Sequence, residues 1–174
     1  MRWTRLHLSI MGRLLMIMPR RFLIVAAALV PVLQADSPGF IMWSAAQLEQ
    51  RDTALSTRVG RDHSARETLA DYGNPSGAHR FRFIRRDADG VPEQHERIED
   101  VVFIQSGEGT LLVGGELVNR TGSNGEYRGT DIARGVRYPV GPGDILHIPA
   151  RTPHSYVVPE GGHITYVLVR VPAF

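Results

Sequence analysis

Gly143-Asp144-Ile145-Leu146-His147-Ile148-Pro149-Ala150-Arg151-Thr152-Pro153-His154 is the stretch that decides how this chain is read. Residues 145–148 form a short β-branched run of strand type. Pro149 ends it, because proline has no N–H to give to a ladder. A turn bounded by Pro149 and Pro153 then delivers His154 to the head of another apolar run, 156–158. Working outward, the same rhythm recurs. Residues 81–85, 101–105, 110–113, 116–119 and 164–171 are β-branched or aromatic runs separated by glycine and proline, and all read as strands. Gly114-Gly115, between 110–113 and 116–119, has the form of a two-residue hairpin turn. Many short strands at this spacing mean an antiparallel sandwich or barrel, and eight of them in two Greek keys would make a jelly roll. The Gly-, Thr-, Asn- and Ser-rich residues 120–135 are the expected long connection between its halves.

A second group lies upstream. Glu93 and His95 are two residues apart, so a strand would project both to one face, and Asp100 follows at the head of the next strand. Histidine and carboxylate brought in from neighbouring strands can converge on one cation. The two segments together resemble the cupin superfamily, as a single-domain jelly roll whose first motif is degenerate. In the second motif Gly143, Pro149 and His154 fall at the family spacing. In the first, His95 takes the second histidine, Asp100 the glutamate and Gly107 the closing glycine, and residues 105–110 and 114–116 look like the turn and hairpin that follow. The likeness covers about residues 81–171.

This resemblance implies an all-β, antiparallel jelly-roll (double-stranded β-helix) barrel with a short N-terminal helix. It also implies a divalent metal ion held by His95, Asp100, His154 and Glu93. Departures from the pattern matter as well. Glu93 stands where the family has a histidine, Asp100 shortens the glutamate, Arg151 replaces a glycine and Val158 the terminal asparagine. Two histidines with a carboxylate suit iron(II), and manganese, nickel or zinc accept the same ligands. Glu99 competes with Asp100 but fits the spacing to Gly107 less well. Tyr156 and His147 are the candidates for proton handling; for His147, an ordinary histidine on a strand is an equal reading. Alternation places Val102 and Ile104 on the face of Asp100, and Tyr156 and Val158 on the face of His154, which predicts a mostly apolar ligand site with one phenol. His63, His79 and His163 receive no role.

Composition narrows the chemistry to histidine and carboxylate. The 174 residues contain no cysteine and no lysine, since all 20 basic residues are arginine. That excludes disulfides, thiolate ligands and lysine Schiff bases. Residues 1–35 carry Arg2, Arg5, Arg13, Arg20 and Arg21 and no acid, which leaves 15 of the 20 arginines against all 18 acidic groups in the remainder. The body is net acidic, so no nucleic-acid partner is expected. Arg80, Arg82, Arg85 and Arg86 are the one local cluster, and on an alternating segment they read as a solvated strand face.

Residues 1–35 have the order of a signal peptide: a basic pair, an apolar run over 22–33 that is too short to span a bilayer, and Ala35 before a polar break. Met18 would give a leader of more ordinary length. A periplasmic or secreted protein follows, with no membrane contact after cleavage. Residues 36–79 are an expected helical extension, with Ser44 and Gln47 at capping-box spacing and a helix over 45–58; 80–174 is the barrel domain. A homodimer is expected from the resemblance, with Phe40 and Trp43 as apolar contacts. Three functions stay open: a metal-dependent enzyme of dioxygenase or isomerase type, a module holding a metal and a small-molecule ligand, and a metal-free structural or binding barrel.

Overall fold

The computed structural model describes residues 39–73 and 79–173. The expected signal peptide lies outside the described residues. A helix α1 (Ala45–Ser56) leads into thirteen strands: β1 (Ser64–Asp71), β2 (Arg80–Arg86), β3 (Glu93–His95), β4 (Ile98–Gly107), β5 (Gly109–Val113), β6 (Glu116–Val118), β7 (Thr121–Ser123), β8 (Glu126–Arg128), β9 (Asp131–Ala133), β10 (Val136–Val140), β11 (Ile145–Ile148), β12 (His154–Val157) and β13 (Ile164–Pro172). One sheet runs β1-β2-β13-β4-β11, a second β10-β5-β12-β3-β8-β7, and β6 pairs with β9 in a third. Every ladder is antiparallel. Consecutive strands alternate between the two large sheets, β2 to β3 to β4 to β5 and again β10 to β11 to β12 to β13. This alternation is the jelly-roll order. The large sheets share no strand, so the expected barrel is an open sandwich.

The first sheet is buried on both faces, which explains the near-continuous apolar run in β13. Its inner residues Ile84, Val102, Ile104, Ile164, Tyr166 and Leu168 meet Leu111, Tyr156 and Val158 of the opposite layer. Its outer residues Phe83, Val167 and Val169 pack under Leu55 of α1. The helix starts where the capping box places it: Gln47 N–H donates to Ser44 Oγ at 3.3 Å, and Ser44 N–H donates to Gln47 Oε1 at 2.9 Å. Asp52 then clamps the helix to the sheet, accepting from Arg85 (2.5 Å), Ser106 (2.5 Å) and Thr165 (2.8 Å). Ser106 reaches outward because of a bulge: Thr165 faces Ser106 but Tyr166 faces Ile104, so Gln105 is extra and the parity of β4 flips.

Several expectations are corrected. Gly114 and Gly115 do take the left-handed φ of a tight turn (82° and 68°), but they do not close a hairpin. Strand β5 pairs with β10 and β12, while β6 leaves to pair with β9. A Cβ on Gly115 would stand 2.1 Å from the Ala133 carbonyl oxygen, so this glycine serves the close approach of that third sheet. Residues 120–135 hold three short strands, β7, β8 and β9. Residues 36–79 contain, beyond the helix, the edge strand β1, paired to β2 along its length. The arginines of β2 are not a solvated face. Arg85 turns outward to Asp52, and Arg82 and Arg86 flank Ile84 on the inner side, where they line a cavity. Among the described residues no helix is long and apolar enough to cross a membrane.

Candidate metal centre

Cross-strand pairing assembles the site. In the register of the sheets His154 faces Glu93, His95 faces Glu126 and Asp100 faces Arg170. The inner faces of β3, β4 and β12 bring His95, Asp100 and His154 together, 2%, 3% and 2% exposed. Asp100 Oδ2 lies 3.5 Å from His95 Nε2 and 3.4 Å from His154 Nε2, and Glu93 Oε1 lies 3.7 Å from His154 Nε2. One donor atom from each of Glu93, His95 and His154 falls within 4.8 Å of the others. Glu93, His95 and His154 therefore form one group, and Asp100 meets it through both histidines.

Hydrogen-bond chemistry fixes both imidazoles. A carbonyl can only accept, so His154 Nδ1, 3.0 Å from the Thr152 oxygen, carries the proton and donates it there. A guanidinium can only donate, so His95 Nε2, 2.6 Å from Arg170 Nη2, accepts, and the ring proton sits on Nδ1, which donates to Glu126 Oε2 at 2.9 Å. In both rings Nε2 is turned toward Asp100. Burial pushes the carboxyl pKa of Asp100 up, but its contacts with His154 and His95 and the charge of Arg170 outweigh it and hold the group ionised, far below its ordinary value. Glu93 is likewise pushed up by burial and brought down to about 2 by His154, His95 and Arg170. His154 is pushed down by burial and raised to about 9 by Asp100 and Glu93.

The donor set fits a metal ion. Ligands around a tetrahedral ion bonded at about 2.1 Å stand about 3.4 Å apart, which matches the Asp100–histidine separations. Among the described residues the second oxygen of Asp100 is buried with no hydrogen-bond partner, although Arg170 Nε is 3.4 Å away and equally unsatisfied. One condition attaches: an ion on His95 must displace the Arg170 hydrogen bond from Nε2.

The remaining candidates fall elsewhere. His147 pairs in register with Val101 and points outward, 2.9 Å from Glu99, so both stand apart from the histidine–carboxylate group. Tyr156 is on the inner side, stacked on Tyr166 at 4.8 Å, with a buried hydroxyl that has no partner among the described residues. Burial, with Tyr166 and Asp100 beside it, raises its pKa and keeps it a phenol. Val102, Ile104, Tyr156 and Val158 do share a face, but they are packed core and not the wall of an open apolar site. His163 is half-buried, 3.4 Å from Ser106. Arg151, in the place of the family glycine, takes φ 65°, the left-handed region that glycine adopts without strain.

Sequence reasoning missed Arg170 and Glu126. Arg170 was recoverable: it shares parity with Ile164, Tyr166 and Leu168, so a charge stands on the core face of β13. Glu126 was not, because its strand lies in a glycine-rich stretch whose pairing only the tertiary fold supplies.

Solved structures similar to this chain include the polyketide cyclase RemF from Streptomyces resistomycificus, 18% identical over 67% of this chain and 72% of that one, with a TM-score of 0.46. KdgF from Halomonas sp. is 20% identical over 64% of this chain and 82% of its own, TM-score 0.44. A cupin 2 conserved barrel domain protein from Rhodopseudomonas palustris is 23% identical over 64% and 61%, TM-score 0.44. No protein-family model and no curated protein matches the sequence. Strand order and register give this chain an open antiparallel jelly roll with a buried histidine–carboxylate group that could hold a metal ion.

Proposed function

We propose that this protein binds a divalent metal ion through His95, His154 and Asp100, with Glu93 beside it, and holds a small ligand next to the ion. The observation that carries this reading is the placing of one buried carboxylate oxygen at nearly equal distance from two imidazole Nε2 atoms whose other nitrogens are already tied off. Hydrogen-bonded partners on the far nitrogen orient a ligating histidine and set its tautomer. Iron, manganese, nickel and zinc all accept such donors. When bound, the ion supplies a Lewis acid; the chain's own part is to hold both rings in place and keep a protonated Tyr156 nearby. The leader over 1–35 supports an exported protein, and N-terminal sequencing of exported material should begin close after Ala35.

Elemental analysis of protein purified without an affinity tag tests the metal reading. Wild-type protein should carry stoichiometric metal, His95→Ala and His154→Ala should lose it, and Glu93→Gln should weaken it by roughly 10–100-fold. His79→Ala and His163→Ala serve as controls. The reading fails if wild-type protein carries no metal and gains no thermal stability on titration with manganese, iron, nickel or zinc.

A further inference from the structure

Beside the triad lies a cavity of about 190 Å³ whose lining contains five arginines, Arg66, Arg82, Arg86, Arg128 and Arg170, against two carboxylates, Asp62 and Glu93. Buried Ile84, Tyr166 and Leu168 form its floor, and the exposed Val91 and Arg128 stand at its edge. The charges are only partly cancelled internally. Arg66 is paired to Asp62 at 2.8 Å, Arg86 donates to the Tyr166 hydroxyl at 3.0 Å and Arg170 is engaged with His95, Asp100 and Glu126. Arg82 and Arg128 form no ion pair or side-chain hydrogen bond among the described residues, and Glu93, which faces Arg128 across the β3–β8 ladder, lies 3.7 Å from His154. Arg82 is half-buried among like charges, with Arg170, Arg80 and Arg66 around it. Clustered guanidinium groups in a partly dry recess are costly without a counter-ion, and their planar forks match the oxygens of carboxylate and phosphate.

We propose that this cavity binds a small anion bearing a carboxylate or phosphoryl group, with Arg82 and Arg128 as the groups that recognise it. The proposal deepens the metal-and-ligand reading and rests on it for the ligand's place beside the ion, because Glu93 and Arg170 belong to both sites. It replaces the mostly apolar ligand expected from the sequence by a charged one. The arginines themselves need no metal, so the two readings can fail separately.

The test is isothermal titration of the full chain with succinate and with inorganic phosphate at constant ionic strength, once after chelation and once loaded with manganese. Saturable one-to-one binding of at least one anion is expected in the chelated protein, and which anion binds identifies the chemical group. Arg82→Met and Arg128→Met should each weaken it by about tenfold or more, whereas Arg137→Met, on the exposed part of β10, should not. Arg128 is exposed, so its variant keeps the test open should Arg82→Met fail to fold. No saturable binding of either anion with or without manganese would overturn the proposal, as would equal affinities in the Arg128 and Arg137 variants. Metal stoichiometry, measured on the same samples, reports on the metal reading independently.

Discussion

Arg170 and a metal ion compete for the same lone pair on His95. With its Nη2 2.6 Å from His95 Nε2 and its Nε 3.4 Å from Asp100, the guanidinium supplies positive charge where the donors converge. Removing that charge should help an incoming cation, since two like charges a few ångströms apart repel even at the effective dielectric of a protein surface. Arg170→Met is therefore expected to bind manganese or zinc about tenfold more tightly or better, read by competition with a chelating dye. Weaker binding in that variant would mean that Arg170 chiefly holds Asp100 in place. Gly107 illustrates the other kind of residue constraint. Its φ is 72°, and a Cβ there would stand 1.9 Å from the His163 carbonyl oxygen, so the motif glycine is required by the bend that ends β4.

At the scale of elements, α1 belongs to the sheet through Asp52. The carboxylate is 15% exposed and answers three donors from three strands, β2, β4 and β13. Asp52→Ala would leave the Arg85 guanidinium, 16% exposed, without its partner. A loss of about 2–4 kcal/mol is expected in urea denaturation. Burial raises the pKa of Asp52, but Ser106, Thr165 and Arg85 overcome this and lower it below its ordinary value. A lowered folded-state value means that the stabilisation is complete above the unfolded carboxylate's pKa, about 3.9, and is lost as pH falls through the folded one. The stability gap between wild type and Asp52→Asn should thus be constant near neutrality and shrink below about pH 4. A gap that narrows instead between pH 6 and 8 would contradict the assignment.

For the whole molecule, the contacts of Asp100 with His95 and His154 tie β4 of one sheet to β3 and β12 of the other, across a sandwich that no shared strand closes among the described residues. An ion held between them would act as a staple between the layers. Stripping the loaded protein with a chelator should therefore lower its melting temperature. At an ion concentration a hundred times the dissociation constant the stabilisation is about 2.7 kcal/mol, or roughly 10 °C for a domain of this size. The same measurement on His154→Ala should show no chelator effect. A similar drop in that variant would place the stabilising ion elsewhere.

The sequence by itself determined an antiparallel sandwich or barrel, and the resemblance of its two motifs implied the jelly roll and a site at His95, Asp100, His154 and Glu93. Strand periodicity and motif spacing are local properties, and residues of one parity must share a face. The capping box at Ser44 was legible for the same reason. Only the tertiary structure decided the rest. Strand β1 lacks a clean apolar alternation and exists because β2 offers it an edge. The strands within 120–135 carry no pattern of their own; they are set by partners up to 35 residues away, and with them comes Glu126 against His95. His147 and Glu99 left the site because register, not spacing, sets which face a strand residue takes. Arg82 and Arg86 of β2, read as part of a solvated surface, became a cavity wall once β13 and β8 closed around them, since two sheets must pack before the inner side of either is defined.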